Sequence, residues 1–268
     1  MELLGRLLTP LLLLLLEISL ARCEQEREET TTSRPLVPIR PRIVGGRRAS
    51  AGQFGHQVSL RYFGHHICGG SIISASYVLT AAHCVQFGQD VTDPSRLAVQ
   101  AGSLRLNSYA VYVDVAAIEV HPQYLNGGQG YDIALLRLAR PLGLNANIVA
   151  IPLAEEDPPA DSVVHISGWG AIFHGGPTSN DLLYVQVRSI ARSDCTSHYM
   201  RRLPSTTMCL LHGANLGACH GDSGGPAVYE GRLVGVASFV LGACGREAPD
   251  GYESIATLRS WIISNSDL

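Results

Sequence analysis

Between residues 56 and 240 the chain alternates. Short β-prone runs, several of which alternate apolar and polar residues, are separated by stretches rich in turn-forming residues. Examples are HQVSLRYF (56–63), GGSIISASYVLT (69–80), RLAVQAG (96–102), YAVYVDVAAIEV (109–120), DIALLRL (132–138), SVVHISGWG (162–170), LLYVQVRSI (182–190) and RLVGVASFV (232–240). A period of two sends successive side chains to opposite faces, so these runs predict β-strands with one buried face. Their spacing of roughly ten residues or more is that of a β-sandwich or barrel. Only the C-terminus departs from the pattern. There Ile255, Leu258, Trp261 and Ile262 recur at helical spacing and predict a helix over 254–264, the one helix expected. The reading is an all-β fold with a helical tail.

Composition narrows the class. The 268 residues are 46% hydrophobic, enough for one large core or two small ones. A net charge of −3 gives no field for gathering nucleic acid or coating an acidic membrane, so neither is expected as a partner. With 28 Gly and only 16% charged residues, the chain suits a turn-rich β protein better than a charged helical one.

The first 42 residues have a different character. Residues 1–23, MELLGRLLTPLLLLLLEISLARC, carry a basic Arg6, an apolar run ending at Leu16 and small residues near Ala21. The run is roughly ten residues, short of the ~20 that span a bilayer, so a cleaved secretory signal is the reading preferred over an anchor. Residues 24–42 are charged, Thr-rich and Pro-rich with little to bury, and read as a flexible segment. They end in Arg-Pro-Arg and give way abruptly to IVGG at Ile43. Such a leader suits either a processing site or a plain linker.

Export agrees with cysteine usage. Of seven cysteines, Cys23 falls in the signal, and Cys68, Cys84, Cys195, Cys209, Cys219 and Cys244 fall in the body. An even set in an oxidising compartment reads as a disulfide framework whose pairing the sequence leaves open. No CxxC occurs, which argues against a zinc site, and no cofactor or metal is called for. No N-x-Ser/Thr sequon is present either, so N-glycosylation is not expected.

Three blocks carry chemistry: TAAHC (80–84), YDIALLRL (131–138) and GDSGGP (221–226). They offer His83, Asp132 and Ser223, a base, an acid and a hydroxyl, the set from which an activated serine nucleophile is built. Together with IVGG, with Gly168-Trp169-Gly170 and with the cysteine placement, they resemble the chymotrypsin family of serine peptidases over 43–268. That resemblance implies two six-stranded antiparallel β-barrels with the active site between them. It implies a triad of His83, Asp132 and Ser223, and an oxyanion hole from the N–H groups of Gly221 and Ser223. It implies activation by a trypsin-like protease cutting after Arg42, so that the new α-amino group of Ile43 pairs with Asp222. It also implies the bridges Cys68–Cys84, Cys195–Cys209 and Cys219–Cys244. Segment 102–112 lacks the carboxylates of the trypsin calcium loop, so no calcium requirement is expected.

The same resemblance places a specificity pocket. Its floor lies six residues before the serine, at Gly217, followed by Ala218; trypsin-like members carry an aspartate at the floor. Walls come from Ser238, Phe239 and Val240, and Val240 stands where open pockets have glycine. This resembles elastases and implies small or medium aliphatic P1 residues. Asp250 falls on the back wall, either satisfied by hydrogen bonds or water or lending a residual taste for basic P1 residues. His220 reads as a rim residue, and His65, His66 and His212 as solvated loop histidines. The motif context is most similar to secreted insect peptidases of digestive type. Expected partners are protein or peptide substrates, the activating protease and protein protease inhibitors, with the chain a monomer. The alternative is a catalytically dead homologue acting as a binding module, which would usually lack a triad residue.

Overall fold

The computed structural model describes residues 43–108, 110–125, 130–200 and 202–268. The signal reading of 1–23, the activation reading of 24–42, Cys23 and Arg42 lie outside the described residues. A turn of 3-10 helix at Ile43–Gly45 leads into a two-residue strand, β1 (Arg47–Arg48). Next come β2 (Gln57–Tyr62), β3 (His65–Ile72) and β4 (Tyr77–Thr80), then a small ribbon of β5 (Gln86–Phe87) and β6 (Asp90–Val91). The first half ends with β7 (Leu97–Ala101), β8 (Val111–Val120) and β9 (Ala134–Leu138). The second half holds β10 (Val163–Gly168), β11 (Leu183–Ser189), helix α1 (Arg192–Tyr199), β12 (Thr207–Leu211), β13 (Pro226–Tyr229), β14 (Arg232–Phe239), β15 (Asp250–Ser254) and helix α2 (Ile255–Ser264).

These strands close into the two expected six-stranded antiparallel barrels. The first runs β2-β3-β4-β9-β8-β7 and returns to β2 through the pairing of Val58 with Ala101. The second runs β11-β10-β13-β14-β15-β12 and closes where β12 meets β11 at Arg188 and Leu210–Leu211, with β1 added at the start of β11. Closure removes the unpaired edges an open sheet would expose.

Alternation accounts for the strands. Along β11, Leu183, Val185, Val187 and Ser189 are buried while Gln186 and Arg188 face solvent. In β9 every residue but Arg137 is buried, because this strand is covered on both faces. Each apolar side chain removed from water in this way contributes about 1.5–3 kcal/mol. Helix α2 starts at Ser254, whose hydroxyl accepts the N–H of Thr257, and buries Ile255, Leu258 and Ile262 in a cluster shared by the first barrel's core and by Val228, Leu233 and Val236 of β13 and β14.

Helix α1 corrects the expectation of a single helix. Its sequence RSDCTSHY buries only Cys195 and Tyr199, one turn apart. Two apolar positions leave no periodic stripe to read. Long-range ties hold the helix instead: the Cys195–Cys209 bridge, and the Tyr199 hydroxyl donating to the carbonyl of Pro249 at 2.7 Å.

Candidate functional site

His83 lies in the 3-10 turn Ala82–Cys84 that follows β4, and the Cys68–Cys84 bridge ties that turn to β3. Asp132 lies two residues before the start of β9, the strand paired with β4, so barrel register brings the two together. The Asp132 carboxylate is 4% exposed and both its oxygens are engaged. One accepts the backbone N–H of His83 at 2.8 Å; the other accepts the His83 Nδ1–H at 2.7 Å. The second oxygen also accepts the hydroxyl of Ser238, from β14 of the other barrel, at 2.5 Å. A carboxylate that only accepts fixes the proton on Nδ1 and leaves Nε2 as a base. Burial pulls the imidazole pKa down, but the hydrogen bond and charge of Asp132 outweigh it, so the pKa stands above its ordinary 6.5.

The segment before Asp132 is pinned in turn. The Tyr131 N–H donates to Thr206 Oγ1 at 3.2 Å and to Glu253 Oε2 at 3.1 Å. Burial first, and the charge of Asp132 in addition, push the Glu253 carboxyl up to about 7 despite its hydrogen bond from Thr206. Neither Thr206 nor Glu253 was singled out in the sequence. Both are isolated polar residues whose partner lies far away along the chain.

Ser223 sits on the GDSGGP loop between the Cys219–Cys244 bridge and β13. Its glycines divide the work. Gly224 has φ +75°, and a Cβ there would lie 2.2 Å from Thr80 Oγ1 and 2.6 Å from the Gly69 carbonyl. A Cβ on Gly69 would fall 2.8 Å from the Gly225 Cα. Glycines on both sides thus let the serine loop lie directly on β3 and β4, with the Gly69 N–H donating to the Ser223 carbonyl at 2.8 Å. His83 and Ser223 consequently line one cavity of about 280 Å³.

Gly221 serves a different end. Its φ is +96°, in the region that favours glycine. The carbonyl of His220 accepts the Ala171 N–H at 2.7 Å, and that of Asp222 accepts the Gly225 N–H at 2.9 Å. A trans peptide points its N–H opposite its carbonyl. The N–H groups of Gly221 and Ser223 are therefore turned away from those partners, and neither has an acceptor among the described residues. The carbonyl of Gly221 is held by His66, whose Nε2–H donates to it at 3.0 Å while Nδ1 meets the Ser59 hydroxyl at 2.8 Å. Burial first, with a smaller contribution from Arg61, lowers His66 to about 4 and keeps it neutral. The reading of His66 as a solvated loop residue is thus overturned; His65 is exposed.

Asp222 points inward. Gly170 and Cys219 donate backbone N–H groups to it at 2.8 and 3.0 Å. A Cβ on Gly168 or Gly170 would come within 2.1 or 2.3 Å of the carboxylate, which explains both glycines around Trp169. Burial pushes the acid up to about 7, against the pull of those two N–H bonds, and no basic side chain among the described residues pairs with it. Near the acid's loop, Val44 is buried against Ala171, Cys219 and Cys244.

Ala218, Ser238, Phe239, Val240 and Asp250 line the cavity beside Ser223, and exposed His220 stands at its edge. Gly217 does not line it. With φ +113° it turns toward His212, and a Cβ would fall 2.4 Å from the His212 Nε2. His212 is buried rather than solvated, because Asp250 draws it in: Nε2 lies 3.2 Å from the acid's Oδ2. Asp250 also accepts the Ala218 N–H at 3.0 Å, so the hydrogen-bonded reading of this acid fits its surroundings. Two groupings, Cys68–His83–Cys84 and His174–His220–Cys244, bring possible metal-ligating atoms within 4.8 Å. Their cysteines are all in disulfides and offer no thiolate, which leaves too few donors for a tetrahedral site. No helix among the described residues is long and apolar enough to cross a membrane.

The family model described as Trypsin matches residues 43–262. The chain is 43% identical to serine protease SP24D of Anopheles gambiae over 82% of this chain and 80% of that protein. It is 38% identical to trypsin alpha of Drosophila erecta, over 84% and 88% of the two chains. Among solved structures it is similar to neuropsin, a serine protease expressed in the limbic system of mouse brain. That likeness has a TM-score of 0.76 at 29% identity, covering 83% of this chain and 99% of that one.

Proposed function

Since the chain belongs to the trypsin family of serine proteases and is a serine endopeptidase, we propose that His83, Asp132 and Ser223 are its catalytic triad. The observation that carries this reading is His83, held by buried Asp132 through both its backbone N–H and its ring Nδ1–H and lining the same cavity as Ser223. Ser223 Oγ attacks the scissile carbonyl carbon while its proton passes to His83 Nε2. The carbonyl electron pair moves onto oxygen, where the N–H groups of Gly221 and Ser223, without an acceptor among the described residues, receive it. Collapse expels the amine, which takes the proton from His83 and leaves an ester on Ser223. Water then repeats the sequence with His83 as base and releases the acid. Asp132 stays ionised throughout and stabilises the imidazolium.

The P1 preference is for small to medium aliphatic residues. Several relatives carry the name trypsin, but Gly217 offers no floor carboxylate, and Val240 projects a branched side chain at the cavity wall. The chain is exported and then activated by cleavage after Arg42, and its role is digestive. Treating the purified chain with trypsin and then with a fluorophosphonate probe tests the triad. Labelling and amidase activity are expected in the parent chain, and neither in Ser223→Ala. An unlabelled but folded parent would favour the binding-module reading instead.

A further inference from the structure

We propose that His212 is a built-in counter-ion that neutralises Asp250 and thereby withholds the pocket's acid from basic P1 side chains. The inference rests on reading the cavity beside Ser223 as the P1 pocket. His212 directly follows β12, and Asp250, which opens β15, pairs across from Leu210 in that strand, so sheet register sets acid and imidazole side by side. Their side chains are 2% and 6% exposed, with His212 Nε2 at 3.2 Å from Asp250 Oδ2. The other ring nitrogen, Nδ1, faces the carbonyl of Gly213 at 3.1 Å. The Gly213 carbonyl only accepts, which places a hydrogen on Nδ1, and Nε2 meets the carboxylate at ion-pair distance without an aligned hydrogen bond, so the attraction is one of charge and favours the imidazolium. The titration of His212 points the same way. Burial lowers its pKa, but the nearness and charge of the Asp250 carboxylate more than reverse that, and the net displacement is upward from 6.5.

Gly217 belongs to the same device. Its Cβ position lies 2.4 Å from His212 Nε2 and 2.6 Å from Cδ2, so any side chain there, an aspartate included, would displace the ring. A floor acid at 217 and a counter-ion at 212 exclude each other. The pocket therefore holds one acid and one internal cation, a net charge of zero where a floor aspartate alone would give a negative site. An incoming guanidinium would have to compete for Asp250 with a cation already at contact distance and shielded from water, whereas an aliphatic side chain leaves the pair intact. Discrimination here comes from an occupied acid as well as from a shaped wall.

The test uses the activated full chain and fluorogenic peptides differing only at P1, Arg against Leu. In His212→Gln the ratio of kcat/KM for Arg over Leu should rise at least tenfold, and adding Asp250→Asn should return it to the parent value. Asp250→Asn alone should change the parent ratio less than threefold. A tenfold fall in that single variant would show an acid already open to substrate and would overturn the proposal, even if His212→Gln failed to fold. Val240→Gly separates the two readings. If it admits larger P1 residues while a folded, probe-labelled His212→Gln keeps the parent ratio, the counter-ion inference fails and the pocket reading stands. If neither variant moves any P1 preference, both fail.

Discussion

The clamp on His83 makes a pH prediction. Catalysis needs the neutral imidazole, and Asp132 favours the charged one, so kcat/KM should rise with pH through a midpoint above 6.5. Asp132→Asn removes both the carboxylate charge and the tautomer control. Its midpoint should fall below that of the parent, and turnover should drop by about 10⁴, the magnitude known for the type enzyme of this family. A pH–rate profile of the two proteins checks this; an unchanged midpoint in the variant would assign the titration to another group. His83, Asp132 and Ser223 were legible in sequence because each sits in a compact local motif. Ser238, Glu253 and His212 were not. Ser238 was placed on a pocket wall, yet its hydroxyl reaches Asp132 across a separation of 106 residues, and Glu253 holds Tyr131 across 122. Polar side chains of this kind acquire a role only from partners that folding supplies. His212 followed an apolar run, TMCLL, which was its one hint of burial.

Most strands were readable from their wet face, and β9, covered on both faces, was still readable as a compact β-prone run. The eight runs given as examples became strands of both barrels, whereas β12 and β13 are mostly buried, carry few polar markers and were not among those examples. Helix α1 went unseen for the opposite reason, being nearly all polar. The contact between the barrels was equally hidden, since it is made of absent side chains: Gly69 on β3 against Gly225, and Gly224 against Thr80. Gly69→Ala puts a methyl 2.8 Å from the Gly225 Cα and 3.0 Å from its N–H nitrogen, backbone atoms that cannot rotate away. Overpacking of this kind costs about 1–3 kcal/mol. In a domain of this size that lowers Tm by roughly 2–12 °C, at ~2–4 °C per kcal/mol. The methyl should also push Ser223 off its register with His83, and a displacement near 1 Å costs on the order of 10² in rate. Probe-labelling rates and melting curves measured together test the idea. A variant that melts lower but labels at the parental rate would mean the contact supports stability alone.

At the scale of the whole molecule, the unresolved charge is Asp222. It is interior, held by two backbone N–H groups, and pushed up to about 7 by burial, with no basic side chain among the described residues to meet it. An acid in that position is a poor choice for stability, because an uncompensated buried charge costs several kcal/mol, on the order of 3–5 when a pair is broken. It becomes favourable once a cation arrives, and cutting the Arg42–Ile43 bond would create one, the α-ammonium of Ile43. The sign then follows. An α-amino group has an ordinary pKa of about 7.7–8.0, and pairing with Asp222 raises it in the working state. The stabilisation is fully present below the ordinary value and is lost as pH rises through the raised one. Activity of the cut chain should therefore fall on the alkaline side, giving a bell whose rising limb belongs to His83 and whose falling limb belongs to Ile43. Arg42→Gln, which a tryptic activator cannot cut, should stay unlabelled by a fluorophosphonate. Asp222→Asn should cut normally yet remain at least 10²-fold less active, because the loop carrying the Gly221 and Ser223 amides is no longer held. Full activity in uncut Arg42→Gln would detach Asp222 from activation and leave its burial without a function.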